Sequence, residues 1–302
     1  MPTRQVIIAD SSKISTFEEC NCKCNYSYNE HITSFGDEKE AIAAGTYGHK
    51  LLEIYYKALF QGHKAYAASN RALEFDMDRA DKQEDKFPLS TENRELVRAR
   101  FSKYWMLYQE RDFIPLFQPN NIITFSNSGM LVDKLVDDPL VEKGFSYKLL
   151  DTSEYLFVLE GRIDMIDYSN SVKKFVDHKF QFRQRDLYSK SIQFRNYALA
   201  SGCNIGIINY IRLHKNETDK TFVRQPISFN PSEIRLWREE LIDIFIRMAQ
   251  AEKQGYPRNR DACPGKFGYP CEFVPICDEG NPHVREAIKN TNFKKKVEWK
   301  PW

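Results

Sequence analysis

From residue 38 to 60, EKEAIAAGTYGHKLLEIYYKALF repeats its apolar positions at helical spacing. Ile42, His49, Leu52 and Tyr56 fall near one face, and Gly45 and Gly48 leave room for a close neighbour. KAYAASNRALEFDMDRA predicts a second helix, and STENRELVRARFSKYWMLYQER a third that starts at Ser90 or Thr91 with Glu92 in its first turn. Ahead of them, SSKISTFEEC predicts a short helix with serine caps and with Ile14 and Phe17 inward. From about residue 120 the pattern changes. NIITFSN, FSYKLLD, YLFVLEGRIDMIDY and KKFVDHKF are rich in β-branched and aromatic residues and are punctuated by Gly161 and SNS, as strands are. DLYSKSIQFRNYALASG then predicts a helix stopping at Gly202, and IGIINYIRLHK a further strand. The clearest helix follows in NPSEIRLWREELIDIFIRMAQAEKQG, with Asn230 as cap, Pro231 first and Gly255 as stop. Helices, a strand meander, a helix and a strand make an α/β chain with a central mixed sheet flanked by helices.

Composition narrows this only a little. The 302 residues are 42% hydrophobic and 28% charged, enough for a full core, and the formal charge of +2 excludes a general polycation. Any affinity for nucleic acid must come from local patches. No segment approaches the roughly 18 apolar residues of a membrane span, so no membrane partner is expected and the location expected is cytoplasmic. Seven cysteines in a reducing compartment point to metal ligation more than to disulfides.

The chemistry concentrates in EGRIDMIDYSNSVKKFVDHK, residues 160–179. Asp164 stands in one apolar strand and Asp177 with Lys179 at the end of the next. Charges there are costly unless an ion uses them. Positions i and i+2 of a strand share a face, so Asp177 and Lys179 point the same way, and a hairpin through YSNS brings Asp164 beside Asp177. Two carboxylates and a main-chain carbonyl such as that of His178 form an oxygen site for Mg²⁺ or Mn²⁺. A lysine beside it can orient water and stabilise charge on phosphate. Taken alone, such a three-residue pattern is common by accident and reads as ordinary strand residues facing water.

GRID followed by VDHK resembles the PD-(D/E)XK nuclease superfamily, in its RecB-like branch. GTYGHKLLE resembles that branch's helix with a histidine ligand, which would be His49. QFRNYALA resembles its glutamine–tyrosine motif, which would be Gln193 and Tyr197, and STFEEC its serine–helix–cysteine opening. These pieces cover residues 11–56 and 155–200. The resemblance implies a single restriction-endonuclease-like domain over 1–302: a helical part at 11–115, a nuclease core at 120–255 and a cysteine segment at 256–302. It implies metal ligands His49, Asp164, Asp177 and the His178 carbonyl, and catalytic roles for Asp164, Asp177, Lys179, Gln193 and Tyr197. Glu53 and Glu160 lie close in sequence and are assigned structural roles.

Lys179, Arg183, Arg185 and Lys190 alternate with aromatics in a pattern that suits phosphate contact and base stacking, although a charged surface has the same composition. Cys263, Cys271 and Cys277 lie in the Pro/Gly-rich ACPGKFGYPCEFVPIC, three thiols where a tetrahedral site needs four. The resemblance extends to the iron–sulfur members, of the AddB and CRISPR-adaptation type, in which one early and three late cysteines hold a [4Fe–4S] cluster. Cys20 would be the early one, with Cys22 and Cys24 as competitors and zinc as the alternative metal. Such a cluster would join the N- and C-terminal segments. Cys203 reads as a buried apolar residue. The basic end, with Lys294, Lys295, Lys296 and Trp299, reads as a disordered tail.

The expectation is a metal-dependent deoxyribonuclease, directed at single strands or duplex ends as an exonuclease. It would act in recombination, repair or phage DNA processing, in a bacterium or encoded by its phage, with a helicase or recombination partner by analogy. The alternatives are a non-catalytic DNA-binding or scaffold protein that keeps the fold, and a zinc-holding DNA-binding protein.

Overall fold

The structure is a computed structural model. It describes residues 4–35, 40–80, 89–110, 112–113, 123–125, 131–133, 140–168, 171–182, 190–265, 270–297 and 300, to which every statement below refers. The chain runs β1 (Gln5–Ala9), α1 (Ser11–Glu19), α2 (Asn21–Cys24), a π-helical turn (Asn25–Asn29), β2 (Ile32–Ser34), α3 (Glu40–Phe60), α4 (Ala65–Ala80) and α5 (Thr91–Tyr108). It continues with β3 (Ile123–Phe125), β4 (Leu131–Asp133), β5 (Val141–Asp151), β6 (Tyr155–Asp167), β7 (Lys174–Gln181), α6 (Ile192–Ser201), β8 (Ile205–Arg212) and β9 (Phe222–Ser228). It ends with α7 (Pro231–Gln254), a 3₁₀ turn (Arg260–Ala262), α8 (Val274–Asp278), α9 (Pro282–Asn292) and β10 (Phe293–Lys295). The principal sheet has the order β1-β6-β7-β8-β9, with β5 also against β6. Pairing is parallel for β1–β6 and β7–β8 and antiparallel for β6–β7 and β8–β9, so the sheet is mixed, as expected.

Two compact units divide the chain. One holds Met1–Asp37, Ser146–Gly161 and Ser232–Trp302, the other Glu38–Phe145 and Arg162–Pro231. In the first, α7 packs on the opening half of β6, Phe245 against Phe157 with ring centroids 5.4 Å apart, and Arg238 donates to the Leu149 carbonyl at 2.6 Å. Asp10, rather than a serine, caps α1 by accepting from Lys13 N at 2.6 Å. The basic end is not a tail as far as Lys295: Phe293, Lys294 and Lys295 pair with Ser34, Thr33 and Ile32, and Phe293 is buried. Burial of one aromatic ring supplies what that three-residue strand lacks in length. Trp299 lies outside the described residues.

In the second unit α3, α4 and α5 build a core on β7 and β8, with Tyr47, Leu51, Tyr55, Phe101, Val176 and Ile211 all buried. Ser90 caps α5, accepting from Asn93 N at 3.3 Å, and Gly202 ends α6 at φ +68°, both at their expected places. Helix α6 begins at Ile192, later than expected, and residues 183–189 are outside the described set. Ile42 departs from the expected face, being 56% exposed while Tyr47 and Leu51 face the core. Gly48 works as expected: a Cβ there would stand 2.3 Å from the Phe180 ring, so only glycine lets α3 lie this close to β7.

Candidate metal centre and cysteine pocket

Strands β6 and β7 pair Met165 with Val176 and Asp167 with Lys174. One step past the last pair stand Asp164 and Asp177, both buried. The His178 N–H donates to Asp164 Oδ2 at 2.6 Å, which ties the two strand ends together at the carboxylates. Alternation along β7 puts Asp177 and Lys179 on one face, and Lys179 Nζ lies 2.7 Å from Asp177 Oδ2. From α6, Gln193 Nε2 donates to Asp177 Oδ1 at 3.3 Å and to Tyr197 Oη at 2.8 Å, as residues four apart on one helix face can.

The close approach at Gly48 brings His49 of α3 to the same place. Its Nδ1 is 3.4 Å from Asp164 Oδ2 and 3.3 Å from Glu142 Oε1. His49, Glu142 and Asp164 each offer a ligand atom, and these three atoms lie within 4.8 Å of one another. Glu142 was not foreseen. It enters from β5 with φ at +52°, a left-handed conformation that costs a non-glycine residue about 1–3 kcal/mol and that recurs at functional sites. Glu53 and Glu160 are elsewhere: Glu53 pairs with Lys50 and Lys57 at 2.7 and 2.8 Å, and Glu160 accepts from Ser146 Oγ at 3.1 Å. An open cleft of about 660 Å³ is lined by His49, Glu142 and Lys179 together with Lys50, Arg162 and Ile42.

Charge in this site is balanced pairwise. Burial opposes a proton on His49, but the Asp164 and Glu142 carboxylates outweigh it and lift its pKa to about 9. Burial raises Asp177 to about 6 against the pull of Lys179, with the Asp164 charge adding to the rise. Asp164 is raised by burial too, partly offset by His49. Carboxylate oxygens beside one imidazole are the donor set of a hard or borderline divalent cation, so the residues present fit Mg²⁺ or Mn²⁺. Arg183 and Arg185 lie outside the described residues, and Lys190 is exposed just before α6.

In the other unit Cys20, Cys263, Cys271 and Cys277 line one pocket with Lys23, Arg258 and Arg260. The Cys20 thiol accepts from Asn259 N at 3.4 Å, and Cys271 N donates to the Cys263 carbonyl at 2.9 Å. Cys22 Sγ is 3.6 Å from Cys277 Sγ, and that hydrogen bond lowers Cys22 to about 6 while raising Cys277. Cys24 is apart: its thiol is buried 3.7 Å from the Lys13 carbonyl, and burial pushes it up to about 12. Cys203 is buried, as expected.

The sequence model of the PD-(D/E)XK nuclease superfamily matches residues 11–278. The chain belongs to the PD-(D/E)XK nuclease superfamily. Its mixed, helix-flanked sheet is the superfamily's restriction-endonuclease-like core. No curated protein sequence matches this superfamily member. Among solved structures, the crystal structure of SSO0001 aligns with 45% of this chain and 58% of its own at 17% identity, with a TM-score of 0.28. None of the helices described is long and apolar enough to cross a membrane.

Proposed function

We propose that this protein is a deoxyribonuclease that hydrolyses phosphodiester bonds at the site formed by His49, Glu142, Asp164, Asp177 and Lys179. The observation that carries the reading is the convergence of the His49, Glu142 and Asp164 ligand atoms within 4.8 Å, next to a Lys179 ammonium 2.7 Å from Asp177. His49, Glu142, Asp164, Asp177 and the His178 carbonyl would hold one or two divalent ions. When bound, such an ion polarises the scissile phosphate and makes its water acidic enough to attack near neutral pH.

The chain's own groups do the rest. Lys179 positions the attacking water and stabilises negative charge on the phosphate. Gln193 fixes the Asp177 carboxylate through Oδ1 and leaves Oδ2 to Lys179. Tyr197, whose phenol burial holds well above its ordinary pKa, stays neutral behind Gln193. Lys50 and Arg162 add positive charge to the cleft, and Arg183, Arg185 and Lys190 would extend the grip on phosphates. We read the activity as single-strand or end-directed exonuclease in the RecB-like branch. Recombination, repair or phage DNA processing, beside a helicase, is its expected setting.

Cys20, Cys263, Cys271 and Cys277 are read as the ligands of a [4Fe–4S] cluster. Their common pocket and its three cationic neighbours, which suit an anionic thiolate cluster, support this. Zinc is the alternative, and colour separates them: a brown protein absorbing near about 400 nm carries the cluster, a colourless one containing zinc does not. Activity is tested with labelled single- and double-stranded DNA under Mn²⁺, Mg²⁺ or EDTA, comparing wild type with Lys179→Ala and Asp164→Ala. Metal-dependent cleavage lost in both folded variants supports the site. Equal cleavage in all three proteins would place it elsewhere.

A further inference from the structure

Three residues stand in one row across three strands. His178 of β7 pairs in register with Asn209 of β8, and Asn209 with Arg224 of β9. Side chains alternate along a strand, so His178 projects away from the face shared by Asp177 and Lys179, towards α3 and α5. There its ring stacks on Tyr56, centroids 5.6 Å apart and planes 15° off parallel. Its Nδ1 lies 2.8 Å from Asn209 Nδ2.

The hydrogen bonds beyond Asn209 follow one direction. Asn209 Nδ2 donates to Tyr104 Oη at 3.0 Å, and Arg224 Nη2 donates to the same oxygen at 2.8 Å. The Asp112 carboxylate can only accept, so Tyr56 Oη donates to its Oδ1 at 2.9 Å, and the Tyr104 proton goes to Tyr56 Oη at 2.8 Å or to Asp112 Oδ1 at 3.4 Å, which leaves Tyr104 Oη an acceptor towards Asn209 and Arg224. Arg224 closes the circuit on Asp112 Oδ1 at 2.6 Å, its guanidinium carbon 3.7 and 3.8 Å from the centroids of Tyr108 and Phe113. With that direction set, Asn209 presents an N–H, and not its carbonyl, to His178. Nδ1 of the imidazole accepts from it.

A buried ion pair with two phenols and an amide is a poor way to gain stability, since apolar side chains of equal volume serve as well or better. Its value lies in fixing an orientation. The residue it orients is the one whose N–H holds Asp164 and whose carbonyl follows Asp177. We propose that Asn209 is a positioning residue for the divalent ion: anchored by Tyr104, Arg224 and Asp112, it clamps the His178 ring and so sets the His178 peptide that faces the ion site. This rests on the nuclease reading above. Removal of such outer partners characteristically weakens metal binding about 10–100-fold.

The test titrates Mn²⁺ into wild type, Asn209→Leu, His178→Phe and the double variant without DNA, following free Mn²⁺ by electron paramagnetic resonance beside thermal unfolding. Folded Asn209→Leu should bind Mn²⁺ about 10–100-fold more weakly, His178→Phe should lose as much, and the double variant should lose no more than His178→Phe alone. A purely structural role would lower the melting temperature and leave the Mn²⁺ affinity of the folded protein untouched. Wild-type affinity in folded Asn209→Leu, or additive losses in the double variant, would overturn the proposal. Should Asn209→Leu not fold, His178→Phe, which keeps a ring against Tyr56, decides: unchanged affinity there is equally fatal. Wild type that binds no Mn²⁺ and cuts no DNA removes the nuclease reading and this inference together. Wild type that binds and cuts beside an unaffected Asn209→Leu removes only the inference.

Discussion

The metal centre and the cysteine pocket gather ligands by opposite physical means. Around His49 and Asp164 the polar groups are already paired: imidazole with two carboxylates, ammonium with Asp177, and the neutral Gln193 amide with Asp177. Those partners stand on long strands and helices whose spacing is fixed by the sheet and by Gly48. The thiols stand on short turns instead, among Tyr26, Ile32, Phe273 and Phe293, where burial raises Cys271. Apolar surroundings favour the protonated thiol, and a thiolate there needs a metal or a donor to stabilise it. The first site is built by the fold before any ion enters. The second would draw part of its own stability from what it binds.

The largest effect that separates the two is catalytic. Lys179→Ala should cut the DNA cleavage rate by about 10²–10⁴-fold with any chromophore unchanged, and should also lower the melting temperature, since it leaves the buried Asp177 carboxylate without its ion pair and removes the ammonium from beside the Phe194 ring. Rates in single-turnover assays read this directly.

Proton competition comes next. His49 must lose its proton to ligate, and Asp177 does so near pH 6, so apparent Mn²⁺ affinity should rise by about tenfold per pH unit towards pH 9 and then level. Without metal the sign reverses for stability. The raised His49 pKa stabilises the fold fully below its unfolded value near 6.5 and less as pH climbs through about 9. Melting temperatures of metal-free protein at pH 6 and pH 9.5 check that direction, His49→Ala serving as the control.

At the thiols the order of effects inverts. Cys263→Ser or Cys271→Ser should abolish absorbance near about 400 nm and lower the melting temperature by several degrees. The cleavage rate per folded molecule should stay within about tenfold. A collapse of rate without loss of stability would mean that whatever these thiols bind takes part in the chemistry. Smallest is the packing device beneath the first site: Gly48→Ala drives a Cβ into the Phe180 ring and should cost about 1–3 kcal/mol in urea unfolding.

How far the sequence made this legible follows the range of each signal. Asp177 and Lys179 are two apart on one strand and Gln193 and Tyr197 four apart on one helix, and local periodicity carries such pairs intact. Glu142 has no periodic signature, because what brings it to His49 is the course of β5 and a left-handed φ that nothing in LVEKGF announces. Strand β9 hides behind Pro226, which argues against a strand and is tolerated because β9 ends the sheet order. Helix α9 carries the same Asn–Pro start as α7, at Asn281 and Pro282, so its beginning is written locally in the sequence. Strands β2 and β10 are three residues each, too short for any pattern, and only their pairing makes them strands.

The central claim is that His49, Glu142 and Asp164 together hold a divalent ion. Anomalous diffraction at the manganese edge from crystals soaked in Mn²⁺ tests it most directly. One peak within about 2.0–2.3 Å of the His49 nitrogen and of carboxylate oxygens from Glu142 and Asp164 is the predicted result. A well-ordered site with no peak, or a peak that leaves His49 uncoordinated, would contradict it.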